Sequence, residues 1–317
     1  MKSVGWVTEL GLDGLRIRLA RSGVREVGVL AGGASSLTFR GVLDERPVVV
    51  KVAPPGHEPV GHRDVLRQAR ILRALGPTDV PVPEVLVEDA GSPPLFVMTL
   101  VAGESFEPLF DGGTGFDDTV AQRYRSAART LAALHALSPV DLGAGEEPVV
   151  DAAAEVERWC ATLRTVAQDL VPGWEAVSGE LLAGVPAPLG PAIVHGDFRL
   201  GNLLAVGSEV TAVIDWEIWS VGDPRIDLGW FLANADPATY SRPSPYVDAV
   251  PSRGDLLGQY GDAPDVAWFI ALACFKSAAT WSLIVKHNRR RPTPRAEFEE
   301  MAPVLPRLLQ RARTLLA

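Results

Sequence analysis

The stretch Ile193-Val194-His195-Gly196-Asp197-Phe198-Arg199-Leu200-Gly201-Asn202, followed by Val213-Ile214-Asp215-Trp216-Glu217, constrains this chain more than any other. It reads as a short apolar strand, a polar loop and a hairpin, with Leu203 to Val206 and Val210 to Ile214 as strands and Gly207-Ser208 as the turn. A hairpin brings its open ends side by side, so Asn202 and Asp215 are expected at adjacent strand ends. An amide oxygen and a carboxylate there suit one hard cation such as magnesium, which takes oxygen ligands and keeps several waters. Asp197 lies five residues before Asn202, in the same loop, and remains available to handle a proton. A cation site and a base in one small volume are the parts that phosphoryl transfer requires.

Upstream, Val27 to Leu30, Leu37 to Val42, Pro47 to Val52, Glu84 to Glu88 and Leu95 to Val101 read as five antiparallel strands, with one helix over residues 61 to 75. Lys51 interrupts a run of valines, a costly place for a charge unless something pairs with it. Of 30 basic residues only four are lysines, which favours an ammonium reaching nucleotide phosphates over a lysine that merely blunts a strand edge. The turn containing Gly33, Ser35 and Ser36 offers backbone amides to a phosphate, although an ordinary hairpin turn reads the same way. No Gly-x-x-x-x-Gly-Lys-Ser/Thr and no strand-linked Gly-x-Gly-x-x-Gly occurs, which argues against P-loop and dinucleotide folds.

His-Gly-Asp-x-x-x-x-Asn followed by Ile-Asp-Trp-Glu, and then Gly222-Asp223-Pro224-Arg225-Ile226-Asp227-Leu228, resembles the aminoglycoside phosphotransferase and choline kinase family. That family is the small-molecule branch of the protein-kinase-like fold. The resemblance implies an α+β, bilobal architecture: a five-stranded antiparallel N-lobe sheet with one main helix (residues 1–100) and a mostly helical C-lobe (residues 101–317). It also implies ATP and Mg2+ as cofactors and a small-molecule hydroxyl as acceptor. Asp197 would be the catalytic base, Asn202 and Asp215 the metal ligands, and Lys51 with Gly33, Ser35, Ser36, the Thr99 carbonyl and the Val101 amide the ATP contacts. Asp227 would brace the catalytic loop from behind, and His195 would support the same loop through hydrogen bonds. Arg199 would meet either phosphate or a neighbouring carboxylate. Gln68 departs from the pattern, because the family has glutamate there to pair with the strand lysine; Lys51 is left to meet Asp64 one turn earlier, Gln68 itself or the phosphate. Phe275-Lys276 resembles the branch attached to acyl-CoA dehydrogenases.

At 317 residues the chain is long enough for about two domain-sized units, and 47% hydrophobic content is that of a globular protein. Cys160 and Cys274 are too few for a disulfide framework and read as buried thiols. A net charge of −9 disfavours nucleic acid as partner, and the longest apolar run, Val266 to Phe275, is half a membrane span. The N-terminus carries no apolar core of signal length, so a cytoplasmic protein is expected. Further helices are expected over residues 9–21, 120–134, 151–170, 174–183, 225–235, 264–285 and 303–316, with residues 236–254 as a lid-like loop. Trp230, Trp268 and Trp281 read as core, and His135 as a packed histidine. From Pro264 to Ala317 nine Lys/Arg stand against four Asp/Glu, which leans towards an acidic or acyl-type acceptor rather than a polycationic antibiotic. The competing reading from another class is a catalytically inactive nucleotide-binding module, which Gln68 alone favours.

Overall fold

In the computed structural model, residues 11–30, 37–54, 56, 58, 60–110 and 118–317 are described, residue 118 by its backbone only. The turn carrying Gly33, Ser35 and Ser36 therefore lies outside the described residues.

Valine-rich alternation builds the N-terminal sheet. Strands β1 (Arg25–Val29), β2 (Leu37–Leu43), β3 (Arg46–Val52), β4 (Val85–Asp89) and β5 (Leu95–Thr99) pair antiparallel in the order β1-β2-β3-β5-β4. β-branched residues favour such a pleated surface, and successive side chains leave on opposite faces. On β3, Val48, Val50 and Val52 are buried with Leu15 and Leu19 of helix α1 (Leu12–Ala20). Val49 points the other way, with Phe96 and Met98 of β5, and packs with Val65, Ala69 and Leu72 of α2 (Val65–Leu75). Lys51 shares the face of Val49, so it is aimed at α2 rather than at solvent beyond α1.

Helix α2 starts later than its apolar pattern suggests. Residues Gly61–Arg63 form a separate 3₁₀ turn, and Asp64 caps α2 by accepting the Arg67 amide at 3.0 Å. An Asp side chain at an N-cap satisfies an otherwise orphaned helix donor. Asp64 is therefore occupied and does not substitute for glutamate beside Lys51.

The remainder is mostly helical. It comprises α3 (Asp118–His135), α4 (Ala152–Leu163), α5 (Trp174–Ala183), α6 (Arg225–Ala235), α7 (Pro237–Tyr240), α8 (Arg253–Tyr260), α9 (Val266–Arg289), α10 (Ala296–Glu299) and α11 (Leu305–Leu316). Two small β elements interrupt it: a sheet of β6 (Val149–Val150), β10 (Ser220–Gly222) and β7 (Ala192–Val194), and the expected hairpin β8 (Leu203–Val206) and β9 (Glu209–Val213). Helix α4 ends at Leu163 rather than 170, and residues 241–252, with one 3₁₀ turn at Val247–Ala249, form an irregular connection between α7 and α8. Ser252 and Asp255 form a capping box at the start of α8.

Helix α9 is the pillar of this part. It is long and apolar enough to cross a membrane, yet 78% of its most apolar window is buried inside the protein. In the basic run at its end, Arg289 pairs with Glu299 at 3.1 Å and Lys286 donates to the Thr165 carbonyl at 2.6 Å. Cationic side chains at a helix C-terminus also complement its dipole. Helix α6 lies against α9 so closely that a Cβ added at Gly229 would stand 2.4 Å from the Phe269 carbonyl oxygen. Gly229→Ala is expected to cost about 3 kcal/mol, the upper part of the range for overpacking, because backbone has to yield. A urea midpoint unchanged from wild type would contradict this close approach.

Candidate active site

The loop after β7 is shaped by glycine. Gly196 has φ +87°, and a Cβ there would lie 2.7 Å from the Ile218 carbonyl oxygen. Only glycine takes both the conformation and the space without strain. Asp227, fully buried on α6, accepts the His195 amide at 2.5 Å and the Gly196 amide at 2.8 Å. His135 stands behind it, with Nε2 3.6 Å from Asp227 Oδ2 and Nδ1 2.7 Å from the Tyr260 hydroxyl. His135 is thus a packed histidine, and Asp227 supports the loop from beneath.

His195 is buried, and both its ring nitrogens are committed. Asp197 donates its amide to Nδ1 at 3.2 Å, so Nδ1 is the acceptor and Nε2 carries the proton towards the Ile214 carbonyl at 2.9 Å. The ring therefore ties the loop to the strand end just before Asp215, which is a bracing geometry rather than a proton-shuttling one.

Asp197 is held from three sides. The Trp230 indole donates to Oδ1 at 2.7 Å, the Asn202 amide donates to Oδ2 at 2.7 Å, and Arg199 Nε lies 3.4 Å from Oδ1. Asn202 Nδ2 also reaches the Asp197 carbonyl at 2.9 Å, so its amide oxygen is what remains to offer a ligand. The Ile214 amide donates to the Asn202 carbonyl at 3.0 Å, which closes the hairpin as its sequence implied and brings Asp215 alongside. Asp215 itself has φ +67°, an uncommon conformation for a residue with a side chain and one that recurs at functional sites.

Across the cleft, Lys51 donates to Asp215 Oδ1 at 3.0 Å and to Gln68 Oε1 at 3.3 Å. Gln68 accepts from the ammonium without neutralising it, and its own Nε2 is buried with no partner among the described residues. Glu217 completes an acidic corner. Burial, and then the neighbouring Asp215 charge, push its carboxyl up to about 7, against the opposing pull of Lys51. Thr99, at the end of β5, donates its amide to the Glu84 carbonyl at 2.9 Å, and Val101 follows it into the loop towards the hairpin.

Three participants were not legible beforehand. Glu107 is buried and accepts from Arg199 Nη1 at 3.0 Å and from the Gly201 amide at 2.8 Å, which assigns Arg199 to a carboxylate. Burial raises the Glu107 carboxyl, and the Arg199 charge opposes that rise. Trp230, read as core, presents its N–H to Asp197. Lys276 of α9 donates to the Gly196 carbonyl and lies 4.0 Å from the centre of the Trp230 ring.

Among the described residues no three His, Cys, Asp or Glu side chains gather into a metal cluster. Magnesium needs no such cage, because it is bound through one or two protein oxygens plus phosphates and water. Asn202 and Asp215 supply such oxygens, and the crowding felt by Glu217 is of the kind a divalent cation relieves.

Comparison with known proteins places this geometry. Residues 26–253 match the family described as "Phosphotransferase enzyme family". Acyl-CoA dehydrogenase family member 11 from Homo sapiens is 26% identical over 276 residues, 78% of this chain and 34% of that protein. The chain thus spans about a third of that relative's length. A crystal structure of a candidate aminoglycoside phosphotransferase from Ralstonia eutropha superposes with a TM-score of 0.75 at 20% identity, covering 96% of this chain and 98% of that one. A thermostable variant of aminoglycoside phosphotransferase APH(4)-Ia, in ternary complex with ADP and hygromycin B, gives 0.62 at 16% identity, covering 95% and 97%. These two share the fold.

Proposed function

The chain belongs to the phosphotransferase enzyme family, and from that premise we propose that it moves the γ-phosphate of ATP to a hydroxyl of a small-molecule acceptor. The observation that carries this reading is the convergence of Asp197, Asn202, Asp215 and Lys51: Asp197 and Asn202 touch at 2.7 Å, and Lys51 and Asp215 at 3.0 Å. ADP in the related APH(4)-Ia complex supports an adenine nucleotide here.

In this reading Asn202 and Asp215 would hold Mg2+, which would supply charge stabilisation at the γ-phosphoryl group of bound ATP. Asp197 accepts or orients the proton of the acceptor hydroxyl, and its three donors keep the carboxylate in one direction. Lys51 faces the α- and β-phosphates; Gln68 steadies it without competing for its charge. His195, Asp227 and the Glu107–Arg199 pair maintain the loop. Thr99 and Val101 would meet the adenine edge where the N-lobe ends, near residue 100, and Gly33, Ser35 and Ser36 would cover the phosphates.

For the acceptor we favour an acidic or acyl-type molecule. Phe275-Lys276 and the 26% identity to an acyl-CoA dehydrogenase family protein support it. Of the basic cluster at the end of α9, Arg289 and Lys286 are engaged with Glu299 and the Thr165 carbonyl, while Arg290 and Arg291 stay exposed. An antibiotic acceptor is the second reading, favoured by the fold shared with the hygromycin-bound enzyme.

A screen of ADP release with ATP and Mg2+ over hydroxy acids, acyl-CoA derivatives, aminoglycosides, macrolides and sugars tests the proposal. Turnover should appear with one class and vanish on chelation. Nucleotide-dependent thermal stabilisation with no turnover anywhere would instead identify an inactive nucleotide-binding module. Lys51→Ala should raise the KM for ATP roughly tenfold or more, the worth of one charge-assisted hydrogen bond. Unaltered kinetics in that variant would return Lys51 to the role of a strand-edge residue.

A further inference from the structure

We propose that Lys276 is a positioning residue of this site, holding the peptide between Gly196 and Asp197 and, through the Trp230 indole, the direction of the Asp197 carboxylate. The inference rests on the role given to Asp197 above.

Lys276 projects from the middle of α9 and is only 7% exposed. A buried ammonium normally requires a counter-charge. Lys276 has no carboxylate within ion-pair distance among the described residues. Instead it donates to the Gly196 carbonyl and lies over the Trp230 ring at 4.0 Å, with the Trp159 ring at 5.7 Å. Burial pulls its ammonium below the ordinary lysine range, and the charges of Asp197, Glu155 and Asp227 oppose that pull.

Two things are held. The peptide joining Gly196 to Asp197 is fixed at both ends, its C=O on Lys276 and its N–H on His195 Nδ1 at 3.2 Å. That peptide plane sets where the Asp197 side chain leaves the backbone. Secondly, a cation on an indole face fixes the ring by attraction to its quadrupole. The same ring aims its N–H at Asp197 Oδ1 at 2.7 Å. Backbone and carboxylate are therefore referred to one ammonium.

The test uses the whole chain, with ATP and Mg2+ and water as the phosphoryl acceptor, and the Trp230 indole N–H resonance in 15N-labelled protein, identified by its loss in Trp230→Phe. Lys276→Met and Trp230→Phe should each lower kcat roughly tenfold or more, the worth of one hydrogen bond to a charged group, with the KM for ATP unchanged. The double variant should fall no further than the worse single one, because the two act as a unit. The indole resonance should move upfield in Lys276→Met, as it should in Asp197→Ala. In the Lys276→Met background Asp197→Ala should move it no further, whereas a space-filling lysine would leave the Asp197-dependent shift intact. An unmoved resonance, or kcat within twofold of wild type in Trp230→Phe, overturns the proposal; the second result decides it even if Lys276→Met fails to fold. If wild type releases no ADP with water or with any acceptor of the panel above, the phosphotransfer reading fails, while the resonance still reports on Lys276.

Discussion

Asp197→Ala is expected to lower ADP release roughly 10²- to 10⁴-fold, the contribution of a positioned base, while nucleotide binding survives. The asymmetry follows from how the loop is bonded. Loss of the carboxylate frees the Trp230 N–H and one Asn202 contact, but Asn202 Nδ2 keeps the Asp197 carbonyl at 2.9 Å. The amide oxygen of Asn202 therefore keeps its direction, and Lys51 and Asp215 lie beyond the change. The shift in melting temperature caused by ATP and Mg2+ should match that of wild type. Full turnover in this variant would remove Asp197 from the chemistry.

Asp227→Ala should destabilise the fold by about 3–5 kcal/mol, as removal of one member of a buried charged network does. Two loop amides, those of His195 and Gly196, lose their acceptor, and the His135 ring loses the charge it faces. Burial pushes the Asp227 carboxyl up, but the His135 ring, His195 and the loop amide outweigh it and hold the group below the usual aspartate value of 3.8. A depressed carboxyl stabilises the native state fully above that unfolded value, and the stabilisation is lost as pH falls through the lower folded one. The gap in urea midpoint between wild type and variant should thus be constant near neutrality and narrow in strong acid. A gap that widens on acidification would contradict the assignment.

Much of this site could be read before any coordinates because it is local in sequence. The β8–β9 turn brings Asn202 beside Asp215, while the role of Asp227 beneath the loop was implied by the family resemblance. What escaped is set by long-range placement. Helix α6 is buried on every side, so periodicity marks Trp230 as core and says nothing of where its N–H points. Glu107 lies in a loop 92 residues from Arg199, with no pattern around it. Helix spacing leaves Asp64 and Gln68 both open to Lys51; the structure gives it Gln68, and the spacing of Asp64 from the Arg67 amide already fits a cap. Helix α8 was missed although Ser252-x-x-Asp255 announces it.

The seam at Gly229 has a mechanical consequence. With no side chain between them there, α6 and α9 behave as a single beam, so the indole from one and the ammonium from the other cannot slide independently. The direction of the Asp197 carboxylate is thereby referred to this helix pair rather than to the N-terminal sheet. The price is that one methyl group at the seam, remote from any substrate, would be felt at the carboxylate.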